Sequence, residues 1–342
     1  MTPLLKVKDL SVHYRTSGGV VRAIERVSFN LEEGRYLGLV GESGCGKTTA
    51  AKAILRLLPQ NGQVTEGSIQ FRGREILSLS EGDFRKLRWK EISMIPQSAM
   101  NALDPVIRVG EQIHEAVLTH EAMNPEEAQS RAREFFAMVG LDGKRLRDFP
   151  HQFSGGMRQR AIIAMALILN PYLIIADEPT TALDVIVQDQ ILRKIKHLQR
   201  ELKKSMLIIT HDIAIVAENC DQMVVMYAGW VVEKADTRAI FKNPLHPYTM
   251  GLQNAFPSTR GPLKELVYIP GYPPNLIDPS TGCRFQPRCP FAEDICSQDE
   301  PREVEAKPGH WVRCHFWNRA ETFQKEGKKT DTWLKKGGPG LD

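Results

Sequence analysis

The stretch GESGCGKT, residues 41–48, constrains this chain more than any other. Five almost wholly apolar residues precede it (YLGLV, 36–40), and the helix-patterned TTAAKAILRLL (48–58) follows. A strand, a glycine turn and a helix in that order gather backbone N–H groups at a helix N-terminus, where an anion is stabilised. Gly41, Gly46, Lys47 and Thr48 satisfy GxxxxGKT, with Glu42, Ser43, Gly44 and Cys45 between them and Thr49 after. Lys47 offers a point charge to phosphates and Thr48 a hydroxyl to Mg²⁺. A tight glycine turn with no ligand is the plainer alternative, and the flanking strand and helix outweigh it.

Phosphoryl transfer also needs an acidic residue at the end of a second apolar strand. LIIADEP supplies Asp177, suited to hold the metal through its water shell, and then Glu178, suited to orient or deprotonate an attacking water. Alone, such a pair is more often a helix cap. Beside a phosphate loop, the catalytic reading prevails.

A chain of 342 residues has room for a large domain and appendages, and its 42% hydrophobic and 25% charged residues are ordinary for a globular protein. The net charge of +4 is spread along the chain, which argues against nucleic acid as a partner. The longest apolar run, AIIAMALIL (161–169), falls far short of the roughly 20 residues of a spanning helix. The N-terminus lacks an apolar stretch of signal-peptide length, so a reducing compartment is expected, where thiols more often bind metals than pair.

Strand patterns fill residues 1–41, a helical block covers about 107–169, and strands return at YLIIADE (172–178), MLIITHD (206–212) and QMVVMYAGWVVEKA (222–235). In the block, Ala128, Ala132, Phe135, Phe136 and Val139 fall on one helix face. The βαβ order predicts an α/β fold with a mixed sheet core, an antiparallel β subdomain and an inserted helical subdomain. Prolines crowd in after 257. The expected division is a domain over 1–256, a Pro- and Cys-rich extension over 257–320 and a disordered tail over 321–342.

FSGGMRQR (153–160), lying between the phosphate loop and the acidic strand, resembles the signature of ATP-binding cassette (ABC) proteins. Ser154, Gly155 and Gly156 would leave donors free at a helix N-terminus. Gln97 in MIPQ matches the family's Q-loop, Asp184 in ALD its D-loop, and His211 its switch histidine; Tyr14 matches the aromatic that stacks on adenine. The resemblance implies a P-loop ATPase that binds ATP and Mg²⁺ through Thr48, Gln97 and Asp177. It also implies a head-to-tail dimer in which one cassette's phosphate loop and the other's signature serine enclose each nucleotide. Cys45 stands where serine is usual in this family; the plainer reading is a small, tolerated residue, and the alternative is a thiol-sensitive site protected by ATP.

Beyond the cassette, FKNPLHPYTMGLQNAFPS (241–258) and the cysteine-rich segment after it resemble the C-terminal extension of oligopeptide and dipeptide (Opp/Dpp) importer ATPases, of D-type subunits in particular. The implied partners are an F-type ATPase subunit, two transmembrane permease subunits and, through these, an extracytoplasmic substrate-binding protein. The implied location is the cytoplasmic face of the membrane. Nickel or oligosaccharide cargo, a soluble non-transport ABC ATPase and an iron–sulfur regulator are the alternatives.

Cys283, Cys289, Cys296 and Cys314 are spaced Cx5Cx6Cx17C, longer intervals than zinc knuckles use. Four thiolates suit Zn²⁺ or an iron–sulfur cluster. Resemblance to D-type subunits that carry a [4Fe–4S] cluster favours the cluster, with Zn²⁺, and His310 or His315 in place of a cysteine, as the alternative. With little apolar periodicity around the thiols, the extension is expected to need a metal centre to fold.

Overall fold

The computed structural model describes residues 3–97, 102–179, 204–255, 267–277 and 279–334, together with Gln188, Arg193 and Lys196. It divides into two compact units: Met1–Leu4, Leu31–Tyr36 and Glu75–Ile209 in one, and Leu5–Asn30, Leu37–Arg74 and Thr210–Asp342 in the other.

In the first unit, β6 (Ile92–Ile95), β7 (Leu173–Asp177) and β8 (Ser205–Thr210) pair in parallel. β7 and β8 are buried along their whole length, as parallel strands covered on both faces require. After α1 (Lys47–Ile54) and α2 (Glu81–Leu87), the chain forms α3 (Val109–His120), α4 (Pro125–Met138) and α5 (Gly155–Leu167) between β6 and β7. Asn124 starts α4 with a capping box closed by Glu127, and Pro125 occupies its first turn. Ala128, Ala132, Phe135 and Phe136 form its buried stripe, on the spacing read from the sequence.

The second unit begins with an antiparallel sheet in which β1 (Leu5–Thr16) lies between β2 (Gly19–Leu31) and β4 (Gly62–Phe71), with β5 (Arg74–Glu75) at the edge. Leu5, Val7, Leu10 and Val12 are buried while Lys6, Lys8 and Asp9 face solvent. A second run of strands follows the order β11–β12–β10–β9–β3. Here β3 (Tyr36–Val40) pairs in parallel with β9 (Gln222–Tyr227), and β9 in antiparallel with β10 (Trp230–Asp236).

The C-terminal extension adds a hairpin, β11 (Glu303–Lys307) and β12 (His310–Arg313), to the edge of β10. Glu233 on β10 is fully buried and ties the pieces together: it accepts from the backbone N–H of Leu245 (2.8 Å) and His246 (3.0 Å) and pairs with His310 Nε2 (2.7 Å). Leu245, Met250, Val312, Ala320 and Phe323 form an apolar cluster, with Phe291 stacked on Phe323 at 4.2 Å. The extension therefore shares an apolar core with Leu245 and Met250 of residues 1–256, more packing than the sparse apolar periodicity of its sequence suggested. The tail also differs from expectation. Ala320–Glu326 and Thr330–Leu334 are helical, because Phe323 and Trp333, each 2% exposed, anchor an otherwise polar sequence.

Candidate active site

In the second unit the phosphate loop joins β3 to the helix α1 (Lys47–Ile54). Gly46 caps α1 at φ 103°, a left-handed conformation that favours glycine. At Gly41 a Cβ would meet the Met226 carbonyl oxygen at 2.1 Å, so the loop lies against β9 only because no side chain is present. Lys47 is 5% exposed, and its Nζ donates to the carbonyls of Gly41 (2.7 Å) and Glu42 (2.8 Å). The ammonium thus rests on its own loop's oxygens, the position from which it can turn to a phosphate. Ser43 and Gly44 are exposed at the tip, and Thr48 and Thr49 lie in the first turn of α1.

Tyr14, near the end of β1, donates from its hydroxyl to Thr49 Oγ1 (3.3 Å), and its ring lies against Gly62. An aromatic is thereby fixed beside the loop. Cys45 is 2% exposed, and burial pushes its thiol above the ordinary range. That weighs against the thiol-sensitive alternative, since the neutral, enclosed thiol is a poor nucleophile.

In the first unit, Asp177 ends β7 at 1% exposure. Glu178 follows at φ 47°, an uncommon conformation for a residue with a side chain, held by its N–H donating to the Ile209 carbonyl (2.8 Å). Gln97, just beyond β6, donates from Nε2 to Glu178 Oε2 at 3.0 Å. The Q-loop glutamine and the glutamate read as the base, 81 positions apart, are therefore in contact. Ser154 caps α5 by accepting from the Met157 N–H (3.3 Å), with Gly155 and Gly156 in the first turn. His211, in the second unit, is exposed just after β8. Asp184 lies outside the described residues.

The four C-terminal cysteines line one cavity together with His246, Phe285 and His315. None is in a disulfide. Burial pushes Cys283 up to about 11, Cys314 up to about 12, and Cys289 well above the ordinary thiol range. Among the described residues, no three His, Cys, Asp or Glu side chains are grouped tightly enough to hold a single metal ion. The donor set nonetheless suits a thiophilic centre: four sulfurs, no carboxylate, and aromatic walls. Such a centre would supply the positive charge that the buried thiols need to ionise. His310 is not among the lining residues, being paired with Glu233. His315 does line the cavity, and its Nε2 contacts the Asp299 carbonyl at 2.9 Å.

Sequence reading missed Arg288. All five of its guanidinium N–H donors are used: two on the Glu42 carboxylate, one on the Tyr227 hydroxyl, and one each on the carbonyls of Pro270 and Ile269. The only sequence signal was two arginines, Arg284 and Arg288, enclosed by Cys283 and Cys289.

Two family models match the chain: ABC transporter over residues 24–181, and Oligopeptide/dipeptide transporter, C-terminal region, over residues 232–296. With the phosphate loop, the acidic strand, the antiparallel β subdomain and the helical insertion, they define an ABC transporter ATPase. The chain is 47% identical to the oligopeptide transport ATP-binding protein OppD of Escherichia coli, over 91% of this chain and 92% of that one. It is 44% identical to the dipeptide transport ATP-binding protein DppD of Bacillus subtilis, over 97% and 100%. The chain belongs to the ATP-binding subunits of the oligopeptide and dipeptide ABC transporters. Among solved structures, the ABC MJ0796 dimer bound to ADP and Pi matches with a TM-score of 0.62 and 29% identity, covering 68% of this chain and 99% of that one. Among the described residues no helix is long and apolar enough to cross a membrane.

Proposed function

We propose that this chain hydrolyses ATP to power the import of di- or oligopeptides, acting at the cytoplasmic face of the membrane as the D-type partner of an F-type ATPase subunit. Two permease subunits would transmit the work, and an extracytoplasmic binding protein would deliver the peptide to them. The observation that carries the peptide assignment is the C-terminal region, because the cassette is shared by transporters of every cargo. Nickel and oligosaccharides are the alternative cargoes.

In this reading the amides of Gly41 to Thr49 and the ammonium of Lys47 receive the phosphates, and Tyr14 stacks on adenine. Magnesium, when bound, neutralises charge on the phosphates, and the Thr48 hydroxyl, the Asp177 carboxylate and the Gln97 amide are the hard oxygen donors suited to hold it. Glu178 polarises the attacking water, with Gln97 orienting the carboxylate. His211 contacts the γ-phosphate. Ser154, Gly155 and Gly156 close the site of the partner cassette, and Asp184 is the D-loop residue.

Cys283, Cys289, Cys296 and Cys314 hold a [4Fe–4S] cluster in this proposal, with Zn²⁺ as the alternative. That all four cysteines line one cavity supports it. Its role would be structural, added to a core that packing already forms.

Affinity purification of the tagged chain from solubilised membranes tests the assignment. Two permease subunits and a second, different ATPase chain should copurify in equal amounts. Recovery of the chain alone, or with nucleic acid, would count against it.

A further inference from the structure

The phosphate loop is braced from the cysteine segment. Glu42, its second residue, is held at three points. Its N–H donates to the Tyr248 hydroxyl (2.9 Å), its carbonyl accepts from Lys47 Nζ (2.8 Å), and its carboxylate takes both guanidinium arms of Arg288 (2.7 and 3.0 Å). Arg288 is 7% exposed and has no spare donor, so its position is set on all sides. It ends the turn Gln286–Arg288, which Cys283 opens by accepting the Gln286 N–H (2.9 Å) and Cys289 closes by donating to the Gln286 carbonyl (3.3 Å).

A carboxylate in a loop built to receive polyphosphate is an electrostatic liability. Left unpaired, it would repel the incoming anion and could draw Lys47 away from it. A bidentate arginine both neutralises that charge and fixes its direction, which a lysine cannot do. We propose that Arg288 is a positioning residue for ATP binding: it acts through Glu42 to hold the phosphate loop open to the nucleotide.

The inference rests on the chain being an ATP-binding cassette. The experiment combines equilibrium binding of a fluorescent ATP analogue to the nucleotide-free chain with steady-state ATP hydrolysis by the assembled transporter. Circular dichroism reports folding. If the wild-type chain binds no ATP, the functional reading fails; the positioning role is tested only by the variants relative to wild type.

Arg288→Met is expected to raise the Kd and KM for ATP about tenfold while kcat stays within about twofold. Arg288→Lys keeps the charge, loses the fork, and should raise both about threefold. It also keeps the test alive if the methionine variant does not fold. In a Glu42→Gln background, where no charge remains to be neutralised, Arg288→Met should shift KM by less than about threefold. Wild-type ATP affinity in folded Arg288→Met or Arg288→Lys would overturn the proposal. So would an equally large Arg288→Met effect with and without the Glu42 charge.

Discussion

Gln97 donates to Glu178 Oε2 across 3.0 Å, joining the segment after β6 to the first residue beyond β7. Glu178 sits in a left-handed backbone conformation, and its N–H is bound to the Ile209 carbonyl, so the carboxylate is aimed from both ends. Glu178→Gln keeps the shape and removes the base. Phosphate release should fall about 10²–10⁴-fold, the usual scale for a lost general base. Size-exclusion chromatography should show a dimer that appears with ATP. Unchanged hydrolysis would refute the assigned role.

Cys45 is enclosed behind the phosphate loop, and burial raises its thiol. Iodoacetamide on the folded chain at neutral pH should leave it unmodified by peptide mass spectrometry, and ATP should make no difference to its labelling. Rapid labelling of Cys45 without unfolding would contradict the buried geometry.

His246 accepts the Tyr248 N–H at its Nδ1 (3.0 Å), which requires a neutral ring, and burial lowers its pKa to about 3 from 6.5. The unfolded chain takes up this proton below about pH 6.5 and the folded chain does not. Stability is therefore fully present above 6.5 and is lost as pH falls toward 3, by at most about 1.4 kcal/mol per pH unit. His246→Asn keeps an acceptor without the titration. Urea midpoints measured at pH 7.5 and 5.5 should converge in that variant, and an undiminished pH difference would count against His246 as a source.

Phe323 is 2% exposed and stacks on Phe291 in the core of the extension. Phe323→Ala should destabilise the extension by about 3–5 kcal/mol. Limited proteolysis should then cut near the C-terminal helices first. A variant as resistant as wild type would mean that this packing does not hold the extension.

The parts legible in the sequence were those with local patterns. The phosphate loop lies between an all-apolar strand and a helix, Asp177 ends another such strand, and the α4 stripe repeats at helical spacing. The extension was harder to read. Its hairpin buries residues of β12 but none of β11, and its short helices are anchored by single aromatics in lysine-rich sequence. The Arg288–Glu42 pair spans 246 residues, and Glu233 meets His310 across 77. Contacts of that range carry no periodicity. They arise where a buried charge must find a partner, and only the fold determines which one.

The central claim, that ATP hydrolysis by this chain drives peptide import, is tested most directly by uptake of a labelled oligopeptide into vesicles. The vesicles carry the complete transporter, with the wild-type chain or with Lys47→Ala, which removes the phosphate-loop cation. The account predicts ATP-dependent uptake with the wild-type chain and background uptake with the variant. Equal uptake by the two, or ATP turnover by the wild-type transporter with no peptide accumulated, would contradict it.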